Sequence, residues 1–125
     1  MRHPELTPAA ITIDAQGNPY STLFGDCYFA QQGGLEETRY VYLAGNHLPQ
    51  RWQNQPHFTI IETGFGTGLN FLATWQAWQS DPQRCQHLHY ISIEKHPIPR
   101  SQLAQLLHWE ELQPFRDELL SQYPA

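Results

Sequence analysis

Hydrophobic and polar positions in the first third of the chain follow the two-residue period of strands. Residues 9–24 alternate about the turn Gly17-Asn18-Pro19 and predict a β-hairpin. Residues 25–36 are rich in glycine and predict an ordered loop. Residues 38–43, TRYVYL, are β-branched and aromatic, and they predict another strand or a short extended piece. We therefore expect a β-rich N-terminal extension over residues 1–57.

From residue 58 onward, apolar runs alternate with stretches of helical period. Residues 58–61, FTII, form a continuous apolar run, typical of a parallel strand covered on both faces. A helix follows, with one apolar face formed by Phe71, Leu72, Trp75 and Trp78. At this spacing the two tryptophans are expected in the core or an interface rather than as base-stacking platforms.

A second apolar strand and two further helices complete the pattern. Residues 88–94, LHYISIE, form the strand, and Pro99 and Pro114 suit the first turns of the helices. Their predicted buried stripes are Leu103, Leu106 and Leu107 in one helix and Phe115, Leu119 and Leu120 in the other.

The order strand–loop–helix–strand–helix–helix predicts an α/β fold, the first half of a Rossmann-like, doubly wound parallel sheet. Such a domain needs further parallel strands beside these two, and the final 25 residues supply none. We therefore expect residues 58–125 to be the first β-α-β-α part of a larger domain.

An acid followed by alternating glycines closes the first strand, in the segment Glu62-Thr63-Gly64-Phe65-Gly66-Thr67-Gly68. A chain that leaves a strand here turns sharply while its backbone approaches a ligand, and glycine permits both. The unpaired N–H groups at the start of the next helix favour electronegative ligand atoms. This segment, here called the glycine loop, is therefore interpreted as a cofactor cradle.

Three ligand classes compete for the glycine loop. A nucleoside triphosphate site needs the ending GK[ST], and no lysine occurs between residues 58 and 94. The dinucleotide fingerprint G-x-G-x-x-G would place its last glycine at Leu69, which disfavours an NAD-linked oxidoreductase. The tighter G-x-G-x-G with an acid two residues ahead is the form used for S-adenosylmethionine, so the loop predicts that cofactor.

A second acid, Glu94, ends the next predicted strand, 26 residues after Gly68. Its carboxylate offers two acceptors to the paired hydroxyls of a ribose. The spacing exceeds the roughly 20 residues of the related dinucleotide fold, and the long connection SDPQRCQ accounts for the excess. Glu94 is predicted to hold the ribose, with a solvated strand-end acid as the alternative.

Several longer segments resemble one enzyme family. They are residues 26–29 (DCYF), 33–46 (GGLEETRYVYLAGN), 62–72 (ETGFGTGLNFL), 93–95 (IEK) and 108–115, which contain HW and ELQPF. They are similar to the N-terminal methyltransferase domain of the bifunctional tRNA 5-methylaminomethyl-2-thiouridine biosynthesis (MnmC) family. The similarity runs through nearly all of the chain, and GLEETRYV is more specific to the family than the glycine loop.

The resemblance implies methyl transfer from S-adenosylmethionine to the amine of 5-aminomethyl-2-thiouridine at the wobble position of tRNA, in the cytoplasm. In the full family protein an FAD-dependent oxidase domain first removes a carboxymethyl group from that amine. The resemblance also implies a catalytic-region acid in a D-x-F-x-P motif after a fourth strand. Neither the FAD domain nor this motif occurs here, so the catalytic residue stays unknown.

The resemblance also assigns residues to the cofactor: Glu62, Gly64, Phe65, Gly66, Gly68, Asn70, Glu94 and Lys95. Glu36, Glu37 and Arg39 are candidates for the rim of the cofactor or substrate pocket, and a plain surface role for each stays open. An amine that attacks a sulfonium methyl needs alignment more than covalent chemistry, and positioning supplies much of such a rate enhancement.

Charge and composition limit what this segment does. Seven Lys and Arg stand against twelve Asp and Glu, and the net charge is −5. Phosphate contacts dominate affinity for nucleic acid, so the main tRNA contact is expected outside this segment. No apolar run is long enough to span a membrane. Cys27 and Cys85 lack a CxxC partner and are expected to be reduced thiols.

His87 and His89 lie two residues apart on the second strand, hence on one face, where they could ligate a metal. A third ligand at a recognisable spacing is missing, so we expect ordinary histidines and no metal. Two functions stay open for the chain. It is either the cofactor-binding part of a tRNA methyltransferase, inactive or weakly active alone, or a folding or interaction module that binds no cofactor.

Overall fold

The computed structural model of the chain describes the backbone of residues 11–13 and 19–21 and, with side chains, residues 34–124. The strands are β1 (Ile11–Ile13), β2 (Pro19–Ser21), β3 (His57–Thr63) and β4 (His87–Ile93). The α-helices are α1 (Gly34–Glu37), α2 (Leu69–Gln79), α3 (Arg100–Leu106) and α4 (Gln113–Gln122). A π turn spans Thr38–Leu43, and 3-10 turns span Ala44–Asn46, Gln50–Trp52 and Glu110–Leu112.

The strands of the predicted hairpin are present. β1 and β2 pair antiparallel, with Ile11 opposite Ser21 and Ile13 opposite Pro19. The turn between them lies outside the described residues. So does most of the loop predicted over residues 25–36, and its last three residues belong to α1.

The segment Thr38–Leu43 is helical, so the predicted strand is wrong. It continues α1 as a π turn and brings both Leu35 and Leu43 into the core. Burial of these leucines outweighs the local β preference of the β-branched and aromatic residues, as tertiary context commonly does. The predicted β-rich extension is therefore wrong over residues 34–56, which are helical or turn.

The predicted strand–helix–strand unit is confirmed. β3 and β4 pair in parallel, from His57 opposite His87 to Thr63 opposite Ile93, and α2 connects them. The result is a mixed α/β fold with a parallel two-stranded sheet. Both strands run a residue or more beyond the predicted apolar segments, because exposed threonine and histidine also follow the strand alternation.

The parallel sheet is covered on one face only, so the prediction of two covered faces is wrong for the described residues. Phe58, Ile60 and Leu88 pack against the core. On the other face every second residue is exposed: His57, Thr59, Ile61 and Thr63 in β3, and His87, His89, Ile91 and Ile93 in β4. The exposed fraction of Ile61 is 68%.

The core lies between the covered face of the sheet and the helices. Its fully buried apolar side chains are Trp52, Leu72, Ile98, Leu103, Leu107 and Leu112. The predicted stripe of α3 is buried, and the stripe of α4 (Phe115, Leu119 and Leu120) packs partly buried against the same core. The helices of this half of the chain therefore share one core with α2.

A buried polar contact fixes the turn before β3 to the loop after α2. The indole N–H of Trp52 donates to Asp81 Oδ2 at 2.8 Å, and Gln53 Nε2 donates to the same oxygen at 3.1 Å. The backbone N–H of Gln83 donates to Asp81 Oδ1 at 2.9 Å. Burial acts to raise the pKa of Asp81, but these hydrogen bonds to the charged form lower it overall.

The tryptophans of α2 pack against the core, as predicted. The rings of Trp75 and Phe115 meet edge to face, with centroids 5.2 Å apart. Trp78 Nε1 donates to the carbonyl of Cys85 at 2.9 Å. Cys85 is a buried free thiol, whereas Cys27 lies outside the described residues. No helix in the described part of the chain is long and apolar enough to cross a membrane.

Candidate cofactor site

The glycine loop joins β3 to α2 at the carboxyl end of the sheet, through three residues in the left-handed region. The φ angles are +86° at Gly64, +58° at Gly66 and +81° at Gly68. Residues with a side chain rarely adopt such angles, and a β-branched residue there is an outlier. The loop stays attached to β4, because the Gly64 N–H donates to the Ile93 carbonyl at 2.7 Å.

The glycines at the two ends of the loop have different surroundings. A Cβ on Gly68 would lie 2.9 Å from Cζ of Phe65, so this glycine is needed for internal packing. A Cβ on Gly64 would meet nothing within 4 Å. The backbone at Gly64 is therefore open to the close approach of a ligand.

Phe65 folds back onto the protein. Its ring lies with centroids 6.0 Å from Phe71 and 6.2 Å from Tyr123. This aromatic contact orders the loop and leaves its backbone, rather than the Phe65 ring, facing outward. A direct contact between Phe65 and a cofactor stays a prediction.

Glu94 reaches the glycine loop, as the sequence predicts for a strand-end acid. Its Oε1 accepts from the Gly66 N–H at 2.9 Å, and its Oε2 accepts from the His96 N–H at 3.0 Å. The carboxylate therefore lies at the carboxyl ends of both strands, beside the first turn of α2. In open α/β sheets this is where ligands bind. Lys95, the next residue, is exposed.

Glu62 is held inside the protein. Its exposed fraction is 7%, Oε1 accepts from Ser92 Oγ at 2.9 Å, and Oε2 accepts from Asn70 Nδ2 at 3.4 Å. The structure thus brings two of the predicted cofactor residues, Glu62 and Asn70, together. Sequence reasoning missed Ser92, which pairs in register with Glu62 on the neighbouring strand. Only the strand register identifies it.

A pair of tyrosines lies next to Glu62. The hydroxyls of Tyr42 and Tyr90 are hydrogen-bonded at 2.7 Å. Burial, together with the negative charge of Glu62, raises the pKa of both phenols. Both therefore stay protonated in the physiological range, and they link the π turn to β4 beneath the glycine loop.

A groove of about 340 Å³ opens between α1, the π turn and the start of α2. It is lined by Gly34, Glu37, Thr38, Val41, Tyr42, Asn46 and Asn70. Of the three rim candidates, Glu37 lines this groove and Glu36 is exposed on α1. The guanidinium of Arg39 is bound elsewhere, to Gln76 Oε1 at 2.6 Å and Glu111 Oε2 at 3.0 Å.

Tyr123 should make the stability of the fold depend on pH in the alkaline range. Its hydroxyl donates to the Ile98 carbonyl at 2.6 Å, and burial, with a smaller effect of the Glu94 charge, raises its pKa to about 12. Since an unfolded tyrosine ionises near about pH 10, this stabilisation is complete below pH 10. It should be lost as the pH rises towards 12.

The measurement is urea unfolding at a series of alkaline pH values, for the parent and Tyr123→Phe. We expect the variant to lack part of the alkaline loss, on the order of 1–2 kcal/mol. Tyr40→Phe, which removes an exposed phenol, is the matched control and should behave as the parent. Identical curves for all three proteins would contradict the assigned role of Tyr123.

Together, the parallel strands, the glycine loop and Glu94 define an α/β protein with a ligand-type loop at the carboxyl ends of its strands. No family model matches the chain. It is, however, 52% identical over 121 residues to the tRNA 5-methylaminomethyl-2-thiouridine biosynthesis bifunctional protein MnmC of Aromatoleum aromaticum. It is 53% identical over 120 residues to the protein of the same name of Cupriavidus necator.

These alignments cover 96% and 95% of this chain, but only 19% and 18% of the two relatives. The chain thus spans about a fifth of the length of the curated relatives it matches. It is homologous to the N-terminal part of the MnmC proteins. The crystal structure of MNMC2 from Aquifex aeolicus shares the fold, with a TM-score of 0.63 at 21% identity. That match covers 98% of this chain and 40% of the other.

Proposed function

We propose that this chain carries the S-adenosylmethionine cradle of a tRNA-modifying methyltransferase, as the Rossmann-like first half of its catalytic domain. The observation that carries the proposal is the contact between Glu94 and the Gly66 N–H, 2.9 Å long. It places a carboxylate against a loop of left-handed glycines at the carboxyl ends of two parallel strands. Homology to the N-terminal part of MnmC proteins supports the same assignment.

The residues present fit an adenosyl sulfonium better than a dinucleotide. Glu62 and Glu94 both lie beside the loop, and within this site Lys95 supplies the positive charge. A pyrophosphate brought here would meet two carboxylates, which would repel it. A cofactor with a ribose and a positively charged sulfur instead meets acceptors and negative charge. The open side of Gly64 leaves space for either to approach.

Each residue of the cradle has a role that its position allows. We assign Glu94 to the ribose hydroxyls, because its two oxygens form a paired acceptor at the strand end. The backbones of Gly64 and Gly66 contact the cofactor, and Asn70 with Ser92 keeps Glu62 in place. When bound, the cofactor supplies an electrophilic methyl group. The protein then contributes mainly by holding the acceptor in line with it.

We assign the substrate side to the groove beside the loop. Asn70 lines this groove and also touches Glu62, so the groove adjoins the cradle. Glu37 is the rim candidate that the geometry favours, and its carboxylate is suited to accept a hydrogen bond from an amine. Following the relatives' name, we propose that this amine belongs to 5-aminomethyl-2-thiouridine of tRNA. The catalytic acid, the principal tRNA contacts and any FAD-dependent step are assigned to the rest of the relatives' length.

A second candidate function is an interaction module that binds no cofactor. Two observations favour it. Glu94 already accepts two backbone hydrogen bonds, and the outer face of the parallel sheet exposes Ile61, Ile91 and Ile93. Such a module would need the remaining strands of a longer chain before a pocket forms.

Calorimetric titration with S-adenosylmethionine separates the two functions. We expect one site in the parent chain and roughly tenfold to hundredfold weaker binding in Glu94→Gln, since a hydrogen bond to a charged group contributes about 1.5–3 kcal/mol. Glu110→Gln removes an exposed carboxylate elsewhere and is the matched control. A flat titration by a folded parent would support the interaction module. Binding of NADH instead would support the dinucleotide alternative.

A further inference from the structure

Three histidines cluster at the amino end of the parallel sheet, on its exposed face. His57 is the first residue of β3 and lies directly opposite His87, the first residue of β4. Its imidazole centroid is 5.2 Å from that of His87 and 6.3 Å from that of His89. All three residues are exposed. We propose that this histidine cluster binds a divalent zinc ion.

The spacing of the side chains suits a single ion. Residues two apart on a strand project from the same face, about 7 Å apart along it, and a cross-strand neighbour lies about 5 Å to the side. His87, His89 and His57 occupy these three positions. Three imidazoles with water in the fourth position are a ligand set that zinc uses. The exposed face leaves that fourth position open to solvent.

The distances between the rings agree with this arrangement. With Zn–N bonds of about 2.0–2.1 Å, two imidazoles on one tetrahedral ion have centroids about 5 Å apart. The His57–His87 separation of 5.2 Å already matches, and the His57–His89 separation of 6.3 Å is somewhat longer. Exposed rings can close that difference by rotating about χ1 and χ2.

Rotation is required for binding. The rings are stacked, with interplanar angles of 18° and 28°, and stacked rings direct their nitrogens past one another. Within the part of the chain that the structure describes, no group of three ligating side chains holds its present geometry ready for a metal. The ion therefore selects new rotamers on a rigid backbone, because the paired strands fix the three Cα positions.

Sequence spacing alone does not reveal this cluster. His87 and His89 form a visible pair, but His57 precedes them by a whole strand, loop and helix. Parallel pairing brings it alongside. The cluster also lies apart from the glycine loop, since β3 has seven residues and spans about 20 Å. Zinc binding can therefore be tested independently of the proposed cofactor site.

The test is a calorimetric titration of the metal-free chain with Zn²⁺, together with Co²⁺ as a spectroscopic probe. We expect one ion per chain and the visible absorption of tetrahedral Co²⁺. His57→Gln, His87→Gln and His89→Gln should each weaken Zn²⁺ binding by roughly tenfold or more, since even outer-shell changes at zinc sites cost about 10–100-fold. His47→Asn is the matched control, because His47 is exposed and asparagine tolerates its positive φ of 57°.

Thermal unfolding gives a second readout that does not depend on the spectroscopic probe. Zn²⁺ should raise the melting temperature of the parent and of His47→Asn but not that of His57→Gln, because the ion binds the folded sheet. Absence of binding by the parent would overturn the proposal. So would binding that all three glutamine variants retain, or binding that survives in His57→Gln alone. One ion shared by two chains would also overturn it.

Discussion

Replacing Gly66 with valine should lower the affinity for S-adenosylmethionine by roughly a hundredfold or more, equivalent to about 2.7 kcal/mol. Gly66 has a φ of +58°, and its N–H donates to Glu94. A left-handed conformation costs an ordinary residue about 1–2 kcal/mol, and a β-branched residue more, so the loop has to change its path. Any such change separates Glu94 from the loop and fills space that a ligand needs.

The measurement is calorimetric titration, with the melting temperature recorded for each variant. Gly45→Ala is the matched control. This glycine lies in a 3-10 turn outside the glycine loop, and a Cβ there would be 3.9 Å from the Tyr40 carbonyl, an ordinary contact. We expect parental affinity from the control. Parental affinity from a folded Gly66→Val protein would show that the cofactor does not use this loop.

Truncation of Trp52 should be the most destabilising single change in the described core. The side chain is fully buried, and its indole N–H is bound to Asp81 at 2.8 Å. Loss of a buried tryptophan to alanine costs about 3–5 kcal/mol, a large share of the roughly 5–15 kcal/mol that stabilises a typical domain. The Asp81 carboxylate would in addition lose a hydrogen bond inside the protein.

Urea unfolding of three variants separates packing from hydrogen bonding. Trp52→Phe keeps an aromatic ring and removes the donor, so we expect a loss of about 1–3 kcal/mol. Trp52→Ala should lose more, or fail to fold. Gln50→Ala, an exposed change in the same turn, should stay within about 0.5 kcal/mol of the parent. A loss below 1 kcal/mol in Trp52→Ala would contradict the central place of this side chain in the core.

Local patterns were sufficient for the unit that forms the site. An apolar run, three glycines and a helical stripe predict β3, the loop and α2 because each depends on neighbours a few residues away. The strand-end position of Glu94 follows from the next apolar run. Parallel pairing then brings the two strand ends together, so the contact between Glu94 and the loop could be anticipated from order alone.

Long-range packing decided the rest. Residues 38–43 have a local preference for strand, but burial of Leu43 makes them helical. The apolar run of β3 predicts two covered faces, yet Ile61 is exposed because no described element lies over it. Arg39 was a rim candidate by its place in a motif. Its position is set by Glu111, 72 residues away, which no local pattern reveals.

Amide NMR spectra of the chain with and without S-adenosylmethionine test the cofactor assignment most directly. The expected result is a saturable set of shifts at Gly64, Gly66, Gly68 and the backbone of Glu94, with α4 largely unchanged. This would place the cofactor on the glycine loop at the carboxyl ends of the strands. A folded chain whose spectrum does not change, or changes only away from the loop, would contradict the assignment.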